Sequence, residues 1–134
     1  MRAHGRCLLV LALLCSGIVH AAERADIPVK YQWNINDIFP DDAAWETARA
    51  AAAARIAEFE PLQGKLAESP EMLYQVISTL MNQRQQIDKV SAYASMRADE
   101  DTRVELTRVM LQTAQGVPVL WAAASAFIQP EIIA

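Results

Sequence analysis

One stretch constrains this chain more than any other. Ser69, Pro70 and Glu71 combine a capping hydroxyl, a proline at the first helical position and an acid in the first turn. No proline or glycine interrupts the pattern from there to Ala98. The spacing predicts a helix of about 30 residues, roughly 45 Å long at 1.5 Å per residue. A domain of this size has a radius of gyration near 13 Å and a diameter of roughly 35 Å, so such a helix is expected to overhang its own domain. Its apolar stripe runs Leu73, Val76, Ile77, Leu80, Ile87, Val90 and Ala94. The polar stretch Asn82 to Gln86 reads as a solvated face or an amide-paired seam.

Asp99, Glu100 and Asp101 form an acidic turn, and Thr102 with Glu105 three residues on has the spacing of a capping box. A third helix therefore starts at once and folds back antiparallel. Val104, Leu111, Ala114, Val117, Trp121, Ala124 and Ile128 mark its apolar side, Gly116 and Pro118 predict a kink or break, and Pro130 ends the pattern. Ile132, Ile133 and Ala134 follow without a cap, an end that reads as cut. Upstream, Asp41 or Asp42 caps a first helix whose face is Trp45, Ala48, Ala52, Ile56 and Phe59. The alanine-rich run Ala50 to Ala54 suits it, and Pro61 and Gly64 end it. The segment Tyr31 to Asp42 sets large apolar side chains between turn formers and reads as a hydrophobic latch across the helices. Within it Asn36 caps a single turn that Pro40 stops. Residues Ala22 to Lys30, with Pro28, read as an extended lead-in.

The expected fold class is all-α: a long antiparallel helical hairpin plus an N-terminal helix and latch segment, the helical lobe of a larger protein. The expected division is a signal peptide over residues 1–21, lead-in and latch over 22–40, and a truncated helical lobe over 41–134. Arg2 and Arg6, an apolar run from Cys7 to Val19 and small residues before Ala22 make the three-part pattern of a secretory leader cleaved between Ala21 and Ala22. Thirteen apolar residues give roughly 20 Å of helix, short of the roughly 30 Å hydrocarbon core. The expectation is export to the periplasm or medium, with no membrane attachment after cleavage. Losing 21 residues, with two of the twelve basic side chains and none of the sixteen acidic ones, leaves 113 residues and a formal charge of −6. Lys30, Lys65 and Lys89 are scattered, so a nucleic-acid partner, which needs clustered cations, is not expected.

His4, His20, Cys7 and Cys15 are the only histidines and cysteines, all within the first 20 residues. The mature chain thus has no imidazole to activate Ser69, Ser78, Ser91, Ser95 or Ser125, and no usual zinc ligand. Asp99, Glu100 and Asp101 lack the glycine and distal glutamate of a calcium loop, and Gly64 and Gly116 are too few for a phosphate cradle. Glu58 and Glu60 read as solvated acids at a helix end. Arg97 with Asp101, and Arg84 with Asp88, have the spacing of helical ion pairs.

Three segments, in order, carry a resemblance. Trp33 to Phe39, WNINDIF, with Pro40 to Glu46, PDDAAWE, resembles the opening of the oligoendopeptidase F family, zinc metallopeptidases of the thimet oligopeptidase kind. Val90 to Arg103, VSAYASMRADEDTR, is similar to a second hallmark of the same N-terminal region, and FIQPEII near the end to the segment after it. The likeness covers essentially the whole mature chain in order. It implies an all-helical enzyme that cleaves short peptides in a deep channel, with zinc held by a His-Glu-x-x-His helix and a later glutamate. Those elements lie in the catalytic half, downstream, and no residue here matches them. The resemblance therefore implies an N-terminal, non-catalytic fragment forming one wall of the channel, its partner the missing C-terminal catalytic lobe, and zinc a cofactor of the full-length protein that this chain does not bind. Family members are commonly cytoplasmic, and the leader departs from that. Tyr93 and Arg97, four residues apart beside the acidic turn, are the candidates for facing the channel; the other reading is a core tyrosine and a salt-bridged arginine. The rival function is a complete small periplasmic helical module that binds a partner and has no enzymatic activity.

Overall fold

The computed structural model describes residues 24–134. The expected leader, the cleavage expected between Ala21 and Ala22, and all four His and Cys residues lie outside the described residues. Residues 24–32 fall in a unit separate from Trp33–Ala134. In it the lead-in is not extended. It winds into short 3-10 turns at Arg24–Asp26 and Val29–Tyr31, with the Gln32 amide donating to the Ile27 carbonyl at 2.6 Å.

The second unit is all-α. Helix α1 spans Asp42–Arg55, α2 Pro70–Glu100, α3 Glu105–Ala124 and α4 Ile128–Ile133. The Asp41 carboxylate caps α1 by accepting from Ala44 N at 2.7 Å, and the Ser69 hydroxyl caps α2 by accepting from Met72 N at 3.1 Å. Each side chain satisfies an amide that the first turn leaves without a backbone partner. At 31 residues α2 is about 46 Å long, and α3 packs back along it after a short turn.

The core is a series of clusters strung along α2. At its C-terminal end Val90, Tyr93 and Ala94 meet Ile35, Trp45, Met110 and Ala114. Midway, Ile87 meets Ala52 and Val117. At its N-terminal end Val76 meets Phe59, Leu62, Leu66 and Ile128. The expected overhang is therefore absent, because the chain after α1 doubles over the N-terminal half of α2. It continues past Arg55 as a 3-10 helix, Ile56–Leu62, with Pro61 inside it. Gly64 then takes a positive φ of 80°, and its amide donates to Glu131 Oε1 on α4 at 2.7 Å.

Several expectations at element boundaries are corrected. The single turn of the latch is Ile35–Asp37, flanked by Asn34 rather than capped by Asn36, and Asn34 Nδ2 donates to Asp37 Oδ1 at 2.7 Å. Ile35 is buried while Ile38 and Phe39 pack against the core, but Trp33 is 75% exposed and takes no part in the latch. No capping box forms. Helix α3 begins after Val104 with no side-chain cap, because Asp101 accepts from the Arg103 amide at 2.9 Å and sets the turn itself. Pro118 lies inside an unbroken α3. Pro130 does not stop the pattern but sits in the first turn of α4, where its missing amide hydrogen is not needed.

Candidate functional site

Tyr93 and Arg97 lie one turn apart on α2 and converge on the carboxylate of Asp42, the first residue of α1. The Tyr93 hydroxyl donates to Asp42 Oδ1 at 2.8 Å. Arg97 grips the same carboxylate with both arms of its guanidinium, Nε to Oδ1 at 3.1 Å and Nη2 to Oδ2 at 3.2 Å. Its third nitrogen, Nη1, donates to Glu100 Oε2 at 2.7 Å. The pairing of Arg97 with Asp101 suggested by their spacing does not form, since Asp101 is held by Arg103 at 2.8 Å. Arg84 does pair with Asp88, at 2.8 Å.

Burial divides this cluster. The Tyr93 residue is 1% exposed, its ring edge-on to Phe39 with centroids 5.5 Å apart, while the Arg97 and Asp42 side chains are 34% and 42% exposed. The guanidinium holds the Asp42 carboxyl below the usual range against the opposing effect of partial burial. Its two acids in turn push Arg97 upward. Burial first, and then the bond to Asp42, push the Tyr93 phenol up to about 12. All three groups are therefore locked in their ordinary neutral-pH forms. The arrangement pins the latch and the start of α1 onto α2, and offers no base or nucleophile whose pKa is moved toward neutrality.

Sequence reading missed the hub of this cluster. Asp42 was legible only as an alternative cap, yet Asp41 does the capping, and a second acid in the same first turn is left for a cation on another helix. A second polar joint lies midway along α2. Gln83, 2% exposed, donates to the Arg55 carbonyl at 2.8 Å and to Glu58 Oε2 at 3.1 Å where α1 gives way to the 3-10 run. Glu58 also pairs with Arg55 at 2.9 Å, so it is a tethered acid and not a freely solvated one. The stretch Asn82–Gln86 is thus a solvated face with one amide turned inward. Beside it, an open groove of about 520 Å³ is lined by Asp37, Ile38, Met81, Arg84, Asp88 and Lys89 among others; neither Tyr93 nor Arg97 lines it.

The zinc implied by the resemblance does not fit these residues. Among the described residues no group of three or more His, Cys, Asp or Glu side chains could hold a metal ion. The acids that do lie close to other charges face arginines, as Glu46 faces Arg49 and Glu105 faces Arg108.

Oligopeptidase PepF of Bacillus subtilis (strain 168) is 29% identical over 111 residues, 83% of this chain and 17% of that protein. Oligoendopeptidase F (plasmid) of Lactococcus lactis subsp. cremoris is 30% identical over 116 residues, 84% of this chain and 19% of that protein. Over this stretch the chain is similar to oligoendopeptidases F. Group B oligopeptidase PepB of Streptococcus agalactiae serotype III (strain NEM316) is similar too, at 27% over 110 residues, 82% of the chain and 18% of its own length. The chain spans less than a fifth of the length of these curated relatives. No protein-family model matches it, and no solved structure does.

Proposed function

We propose that this chain is the N-terminal, non-catalytic part of an exported zinc metallopeptidase of the oligoendopeptidase F type, one that hydrolyses short peptides. In this reading the helical hairpin is one wall of the substrate channel, the metal and the catalytic acid and base belong to a lobe of the polypeptide beyond this stretch, and the wall admits flexible peptides while excluding folded proteins. The observation that carries it is the co-linear likeness to oligopeptidases over more than four-fifths of the chain. The all-helical architecture, pinned at Asp42 and along α2, supports a rigid wall. The leader-like first 21 residues support export, which puts the peptides it meets outside the cytoplasm.

The test is the reading frame and its product. A frame that continues past codon 134 to a His-Glu-x-x-His motif, and whose purified product cleaves unstructured peptides in a chelator-sensitive way, is the expected result. A stop codon at 135 followed by unrelated sequence would overturn the reading and favour a self-contained helical module.

A further inference from the structure

Helix α3 is apolar on two sides, and among the described residues only one of them is covered. Its inner side, with Met110, Ala114 and Val117, is buried against α1, α2 and the latch. A second stripe repeats at spacings of three and four on the outer side: Leu106, Val109, Thr113, Gly116, Leu120 and Ala123. Every one of these six is exposed, Leu106 at 71%, Val109 at 47% and Leu120 at 58%. No charged side chain occurs between Arg108 and Glu131. The segment Glu105–Ile133 is long and apolar enough to cross a membrane by length and composition, and only 11% of its most apolar stretch is buried. An exposed apolar stripe on a helix whose other apolar side is already packed marks a surface built to be covered.

Gly116 sharpens this. A glycine inside a helix destabilises it relative to alanine, and the usual compensation is close approach of another backbone. Here a Cβ at position 116 would meet nothing within 4 Å. The notch in the middle of the outer stripe is empty. Among the described residues nothing exploits it.

We propose that the outer face of α3 seats a helix from the remainder of an oligoendopeptidase F-like polypeptide, crossing closest at Gly116. This rests on the reading of the chain as part of a longer peptidase. The relatives are more than five times as long as the stretch they share with this chain, so each carries ample further polypeptide to cover one helix face about 26 Å long. The uncharged lining fits an apolar helix and leaves nothing to grip an acidic or basic partner. A lipid bilayer is a poorer occupant, because α3 would have to abandon the inner side on which Ala114 and Val117 are fully packed.

The test uses the complete product of the reading frame beside the 134-residue chain, both carrying Cys7→Ser and Cys15→Ser and a single new cysteine, Thr113→Cys or Leu120→Cys. Maleimide labelling is read as a rate relative to the urea-unfolded protein. Both positions are expected to label at least ten times more slowly in the complete product than in the chain. Gly116→Leu, which fills open space in the chain, is expected to raise the Tm of the chain and lower that of the complete product. Equal labelling in a complete product that still cleaves peptides would overturn the seat while leaving the peptidase reading intact. Protection of the chain by itself that grows with its concentration would assign the face to a second copy, and protection only on phosphatidylcholine vesicles would assign it to a bilayer; either result overturns the proposal.

Discussion

Asp42 takes three hydrogen bonds from α2, and that gives it a pH signature. Its pKa lies below the ordinary 3.8 because Arg97 favours the charged form. A carboxyl whose folded pKa is depressed stabilises the fold fully above its unfolded pKa, and that contribution is lost as the pH falls through the folded value. The urea midpoint is therefore expected to drop as the pH falls below the ordinary carboxylate range and through the depressed folded value, and Asp42→Asn is expected to lower the midpoint at pH 6 and flatten this part of the curve. The half-exposed pair is screened by solvent, so the expected loss at pH 6 is only about 1 kcal/mol. Tyr93 carries the opposite sign. With its phenol raised from 10.0 to about 12, its contribution is intact below pH 10 and lost as the pH rises through 12. A spectrophotometric titration should show one of the three tyrosines ionising late, with the late step absent from Tyr93→Phe.

Among the elements, α2 organises the rest, and its ends test the account. Ser69→Ala removes the cap of α2 and should cost about 1 kcal/mol in urea unfolding. Phe59, fully buried over the N-terminal half of α2, lies in the 3-10 run; Phe59→Ala should cost about 3–5 kcal/mol, whereas a run that merely trailed off α1 into solvent would lose almost nothing. These elements also show what the sequence alone makes legible. The extent of α2, the cap at Ser69, the turn back into α3 and the apolar faces through Trp45, Val76, Ile87 and Ala114 follow from periodicity and capping chemistry, which act within a few residues. The pairing of Arg97 was not readable, because the choice between Asp101 four residues on and Asp42 fifty-five residues back is made by the packing of α1. Pro61, Pro118 and Pro130 misled for a related reason. A proline costs one amide bond and one steric clash, and a 3-10 run, a well-packed helix or a first turn accommodates it. Trp33 and Asn36 show the same limit inside the latch, where one residue of register decides which side chain reaches the core.

At the scale of the molecule, Trp33–Ala134 is a helical unit pinned at Asp42, with one side of α3 left apolar and bare among the described residues, and the sequence is similar to oligopeptidases several times longer. In the reading proposed above, the hairpin supplies rigidity and a seam to a further lobe, and the reactive groups belong to that lobe. The division of labour is tested most directly by peptide hydrolysis, measured by mass spectrometry on a mixture of short unstructured peptides with zinc present. The complete product of the reading frame is expected to cleave them, with loss of cleavage on adding a chelator, and the purified 134-residue chain is expected to leave them intact. Chelator-sensitive cleavage by the 134-residue chain alone, or an inert complete product, would contradict it.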